Sequence, residues 1–186
     1  MTTFNLRTLK LRSGEQFRDE QEIKLDSLEL GGQRYLPVPE DVQRRILDAG
    51  RVDGSAMNVQ PWQFVVVESD EAKAKIGGVV YAASNIETCA FAVAIATEGG
   101  GHPVDVGRAM QNMFLVAWNE GVVSCPNGMP DQEAAARALG LDEGWLPVNI
   151  PSFGYPKRPL EPDSRSAEEW SAEANRKPLD ELVTRL

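Results

Sequence analysis

The sequence is poor in the residues that do covalent and metal chemistry. It has two cysteines, Cys89 and Cys125, without Cys-x-x-Cys spacing, so neither a disulfide framework nor a zinc site is expected. Its one histidine, His102, sits in Gly99-Gly100-Gly101-His102-Pro103. With no second histidine at metal-ligand spacing, it reads as a solvated loop residue, and its acidic neighbours Glu98 and Asp105 are what an acidic chain supplies by chance. No Gly-x-Ser-x-Gly elbow and no phosphate-binding P-loop are present. No metal site is expected, and no side chain stands out as catalytic. No apolar run approaches the roughly 18 residues that span a bilayer. The opening Met1-Thr2-Thr3-Phe4-Asn5-Leu6-Arg7 lacks the layout of a signal peptide, so the cytoplasm is the expected location. Positive charge is also short: 19 Lys and Arg against 28 Asp and Glu leave a net charge of -9. That field repels nucleic acid and anionic membranes, and neither is expected as a partner. A phosphate bound here would have to be held by local arginines or helix N-termini.

What is present is ordinary core-forming material in a recognisable order. Apolar side chains nearly alternate along Phe4–Arg12 and Glu22–Leu30, with turn signals at Gly14 and Gly31-Gly32. Period two predicts strands, so residues 1–38 are expected to form a hairpin-like extension and residues 39–186 the main domain. Pro37-Val38-Pro39 breaks the chain. Pro39-Glu40-Asp41 then starts a helix whose apolar stripe, Val42, Ile46, Leu47 and Ala49, ends near Gly50. The pattern continues as a loop over 55–62, a buried strand over 63–67 and a short helix over 71–76. The run Ala90–Ala96 is wholly apolar and predicts a central strand. Asp105–Asn119 predicts a helix apolar on most sides, with Val106, Met110, Met113, Phe114, Leu115 and Trp118, which belongs in a core or an interface. Strand 121–125, helix 131–139 capped by Gly140, and one strand over 147–156 follow. The tail from Lys157 is rich in proline and charge, yet Trp170, Leu179, Leu182, Val183 and Leu186 need cover, and a partner subunit would provide it.

Four segments resemble the flavin-dependent nitroreductase family. The most specific is Ser55-Ala56-Met57-Asn58-Val59-Gln60-Pro61-Trp62 with its following strand, which is similar to that family's Ser-x-x-Asn-x-Gln-Pro-Trp loop. The others are the opening helix Pro37–Arg51, the helix Asp105–Leu115 with the turn Gly121–Gly128, and Leu139–Pro156 with the basic pair Arg176-Lys177. Each alone is weak; four in order over about four-fifths of the chain are not. The resemblance implies an α+β fold, a three-layer α/β/α sandwich with a mainly antiparallel sheet. It also implies a homodimer using FMN and NAD(P)H, passing hydride by a ping-pong route to a small-molecule acceptor such as a nitroaromatic or quinone.

Carried over residue by residue, it implies that Ser55, Asn58 and Gln60 hydrogen-bond the flavin, that the Pro126-Asn127-Gly128 turn approaches its ring, and that Arg176 and Lys177 hold phosphate. The family's N-terminal Arg-x-Ser-x-Arg motif maps onto Arg12 and Ser13, but Glu15 stands where the second arginine belongs, and a carboxylate repels phosphate. The stretch from Arg12 to Pro39 looks more like the N-terminal strands of YceD-like proteins. A chain of the same fold without the phosphate site would be a non-catalytic binding protein, and another flavin or deazaflavin could replace FMN; both readings stand beside the first.

Overall fold

The computed structural model describes residues 36–156 and 165–185, together with the backbone of Glu29–Leu30 and Gln33–Arg34. The chain divides into two compact units, Met1–Pro156 and Lys157–Leu186. Strands β1 (Glu29–Leu30) and β2 (Gln33–Arg34) pair antiparallel. Of the two strands expected in the N-terminal extension, Phe4–Arg12 and Glu22–Leu30, all but Glu29 and Leu30 lies outside the described residues.

The first unit is built around β4 (Phe91–Glu98), whose residues from Phe91 to Thr97 are fully buried. Both its edges are hydrogen-bonded. β3 (Trp62–Val67) runs antiparallel along one side, with Trp62 opposite Thr97 and Val67 opposite Ala92. The other side is shared by β6 (Trp145–Asn149), which pairs with Ile95–Glu98, and β7 (Ser152–Gly154), which pairs with Phe91 and Ala92. β5 (Val123–Cys125) pairs with β7 and forms the far edge. Every recorded pairing in this five-stranded sheet is antiparallel.

A strand apolar on both faces requires cover on both, because exposing either would forfeit roughly 25 cal/mol per Å² of apolar surface. On one face, Phe91, Val93 and Ile95 pack with α1 (Glu40–Arg51) and α4 (Pro103–Asn119) through Val42, Ile46, Val106 and Met113. Phe153 stacks on Phe91 at 4.9 Å between ring centroids and meets Phe114 edge-on. On the other face, Ala92 and Ala94 pack with Ile76 of α2 (Asp70–Gly77), Ile86 of α3 (Ala83–Glu87) and Ala138 and Leu139 of α5 (Gln132–Leu139). The result is the α+β, three-layer arrangement expected from the sequence.

α1 starts after Pro39 with Glu40 and Asp41 in its first turn and ends on Arg51, so its charges complement the helix dipole. Arg45 ties it to the far end of α4 by a two-pronged contact with Glu120 at 2.9 and 3.0 Å, and also binds Asp41. That guanidinium holds the Asp41 carboxyl below its ordinary range. α4 buries Val106, Ala109, Met113 and Ala117. Its opposite side leaves Val104, Leu115 and Trp118 exposed. Met113 is therefore core, as expected, whereas Leu115 faces outward.

Three elements differ from the sequence reading. α3 was not anticipated. The strand expected over 147–156 is two strands, broken at Ile150-Pro151. The tail holds two short helices, α6 (Ala167–Glu173) and α7 (Leu179–Leu182). Ser166 and Glu169 close a reciprocal capping box at the start of α6. Within this second unit Leu179, Leu182 and Val183 are exposed.

The close approach of α1 to α4 depends on Gly50. A Cβ there would lie 2.9 Å from Met113 Sδ and 3.1 Å from Phe64 Cζ. Gly50→Ala is expected to destabilise the fold by about 1–3 kcal/mol through overpacking, read as a lower urea midpoint with an unchanged m-value.

Candidate flavin site

The Ser55–Gln60 loop is wound more tightly than ordinary L-residues accept. Met57, Asn58 and Gln60 have φ of 52°, 57° and 51°, each in the left-handed region. Asparagine tolerates it; for Met57 and Gln60 it costs about 1–2 kcal/mol apiece. Hydrogen bonds offset this. Ser55 Oγ accepts from Gln60 N at 2.8 Å, Ser55 O from Asn58 N at 2.9 Å, and Asn58 O from Gln60 Nε2 at 3.3 Å. The three residues expected to act together are thus in one hydrogen-bonded turn, and Asn58 and Gln60 are exposed at its surface.

Two carboxylates, one that contacts the loop and one just before it in sequence, were not recognised from the sequence. Asp105, buried in the first turn of α4, accepts from Ala56 N at 3.4 Å and lies 3.5 Å from Nδ1 of His102. His102 is the residue just before α4, with φ of 60°. Its side chain is 42% exposed and lies beside Asp105. Asp53, with its side chain 8% exposed, takes Asn112 Nδ2 at 3.2 Å and Arg108 Nη2 at 3.4 Å on one oxygen. Its other oxygen is the one buried side-chain polar atom without a partner among the described residues. Backbone strain and an orphaned buried oxygen in one short segment are the kind of cost that native chains concentrate at functional sites.

The Pro126-Asn127-Gly128 turn is held differently. Asn127 is 3% exposed. Its amide donates to Cys125 O, Ile150 O and Ser152 Oγ at 2.9–3.1 Å and accepts from Asn85 Nδ2 at 2.9 Å. Its backbone N–H donates to Asn149 Oδ1 and its carbonyl accepts from Ile150 N. Asn127 therefore spends its side chain on fixing the turn. Gly128 O accepts from Tyr81 N at 3.1 Å, and a Cβ on Gly128 would lie 3.4 Å from the Tyr81 ring. Asn85, Ser152 and Tyr81 gave no sequence signal, because their meeting with Asn127 is made by tertiary contacts alone. Nearby, burial pushes the Cys89 thiol up to about 11, which keeps it protonated and inert at neutral pH.

The loop and the turn are not neighbours. The loop leads into β3 at one edge of the sheet, and the turn follows β5 at the other. Three strand spacings, roughly 14 Å, separate those edges. Of the remaining expected ligands, Arg12 and Ser13 lie outside the described residues, and Arg176 and Lys177 are exposed residues of the second unit. The loop and turn fit a flavin in their chemistry: neutral amides and a hydroxyl suit polar ring edges and a ribityl chain. Among the described residues, no three His, Cys, Asp or Glu side chains converge as a metal site, and no helix is long and apolar enough to cross a membrane.

The model of the nitroreductase family matches residues 35–98 and 96–155. A "Putative NADH dehydrogenase/NAD(P)H nitroreductase" of Methanothermobacter thermautotrophicus is 27% identical over 149 residues, 72% of this chain and 78% of its own. Among solved structures, a nitroreductase family protein of Clostridium difficile 630 superposes with a TM-score of 0.67 at 21% identity, covering 81% of this chain and 89% of that one. A "putative nitroreductase in complex with FMN" from Desulfovibrio desulfuricans gives 0.67 at 20% identity, covering 81% and 87%.

Asn127→Ala would strand several of these buried partners. The expected cost is about 1–3 kcal/mol of folding stability, measured by denaturant unfolding of purified protein.

Proposed function

Because this chain belongs to the nitroreductase family, we propose that it is an FMN-dependent oxidoreductase that passes hydride from NAD(P)H to a nitroaromatic, quinone or similar acceptor. It works as a cytoplasmic homodimer. The observation that carries the reading is the strained Ser55–Gln60 loop, in which two exposed amides are held in an unfavourable backbone conformation by Ser55 and Asp105. FMN, when bound, supplies the hydride chemistry. The chain binds and orients. Asn58 and Gln60 give donors and acceptors to the flavin's polar edges and Ser55 fixes the loop that bears them. Backbone groups of the Pro126-Asn127-Gly128 turn would stabilise charge on the flavin, with Asn127 keeping them in place. By the family resemblance, Arg176 and Lys177 would hold the phosphate, with Arg12 and Ser13 as further contacts.

Each site is composite, joining the loop of one copy to the turn of the other. The separation of loop and turn on opposite sheet edges supports this. So does α4, whose outer stripe Val104, Leu115 and Trp118 is apolar and uncovered, a feature of surfaces that meet another protein. The exposed Leu179, Leu182 and Val183 of the second unit are read in the same way.

The purified protein is expected to bind FMN, with quenching of flavin fluorescence on titration. Glu15 in place of a basic phosphate contact forfeits about 1.5–3 kcal/mol, so binding should be modest and colour should return on adding FMN. Arg176→Ala should weaken FMN by about ten- to a hundredfold and leave riboflavin, which has no phosphate, nearly unchanged. Absence of quenching at high micromolar FMN would favour the non-catalytic binding protein instead.

A further inference from the structure

We propose that Tyr81 is a stacking platform that selects planar aromatic acceptors, an inference that rests on the flavin lying at the Gly128 turn. Tyr81 stands between α2 and α3 with 75% of its surface exposed. Its backbone is held in place. Its N–H donates to Gly128 O at 3.1 Å, and the Cδ2–Cε2 edge of its ring lies beside Gly128, 3.4–3.5 Å from where a Cβ on that residue would be. Its backbone is thus fastened to the turn proposed to face the ring of the cofactor, and the turn is itself fixed by the buried amide of Asn127. The segment just after Tyr81 is fastened as well, since Asn85 of α3 donates to Asn127 Oδ1 and to Cys125 Sγ.

Fastening the backbone at Tyr81 keeps its ring beside the turn, which lowers the ordering cost of binding a flat acceptor there. Aromatic rings attract other planar rings in offset or edge contacts worth about 0.5–1.5 kcal/mol beyond area burial. The Tyr81 hydroxyl is not needed for this, so the role belongs to the ring. Tyr81 accordingly acts on the acceptor half of the cycle, through affinity for flat substrates, and not on flavin binding or on hydride transfer itself.

The test uses the FMN-loaded protein and three chains: wild type, Tyr81→Phe and Tyr81→Ala. The probe is p-nitrobenzoate, titrated against oxidised enzyme without NAD(P)H, so that binding is read from the flavin absorbance without turnover. Tyr81→Ala should weaken p-nitrobenzoate by about three- to tenfold, and Tyr81→Phe should match wild type. Steady-state rates should show the loss in KM for the nitroaromatic, with kcat little changed. Ferricyanide, which is an acceptor without a ring to stack, should be reduced equally well by all three. FMN affinity should not move. Unchanged p-nitrobenzoate affinity in Tyr81→Ala overturns the inference, as does an equal loss for ferricyanide, which would mark a general effect on the site. If wild type fails to bind FMN, the functional reading falls and this inference with it. A flavin-loaded Tyr81→Ala with wild-type affinity for the probe sinks the inference alone.

Discussion

Everything in the first unit follows from β4 being apolar on both faces and hydrogen-bonded on both edges. Residues Phe91 to Thr97 are wholly buried, so the strand can exist only between two helical layers. α1 and α4 take the face of Phe91, Val93 and Ile95, while α2, α3 and α5 take the face of the alanines. The small side chains on that second face allow short helices to lie close to the sheet. With β3 on one edge and β6 and β7 sharing the other, no edge of β4 is left for aggregation or exchange. The same arrangement sends the Ser55–Gln60 loop and the Gly128 turn out from opposite edges, and that separation is the strongest structural support for a site made by two copies.

Each half of the proposed site is held by one buried polar residue. Asp105 reaches from α4 to the loop, and Asn127 ties its own turn to β5, β7 and α3. Neutral amides dominate the turn, which avoids the desolvation cost that a buried charge would carry. The loop carries the less comfortable chemistry, with left-handed residues, and an orphaned Asp53 oxygen lies just before it in sequence. The turn is rigid because its polar groups are paired; the loop is kept in place against a local preference to relax.

The sequence showed most clearly what depends on local pattern. The apolar run at 90–96 is β4, the long apolar helix is α4, and the loop before Trp62 lies where its Gln-Pro-Trp signature puts it. What was missed depends on distant partners. α3 is five residues, Ala83–Glu87, too short for a periodicity signal, and Asn85 on it makes sense only beside Asn127. The break between β6 and β7 follows from Ile150 and Pro151 bonding across to Asn127 and Val93. The tail helix α6 did have a local signal, since Ser166-Ala167-Glu168-Glu169 is a capping box, but proline and charge around it obscured the helix. The exposure of Leu115 and Trp118 could not be separated from burial by periodicity, because α4 is apolar on both its core face and its outer face.

The central claim is that one flavin site is completed by two copies, and subunit mixing tests it most directly. One chain would carry Asn58→Ala with Gln60→Ala in the loop, the other Gly128→Val in the turn, and each alone should bind FMN poorly. If the loop of one copy serves the turn of the other, a mixed dimer contains one doubly damaged site and one intact site. With random exchange of equal amounts, half the dimers are mixed, so about a quarter of all sites should regain wild-type FMN affinity. If loop and turn of the same chain form the site, mixing restores no tight binding, and that result would contradict the account.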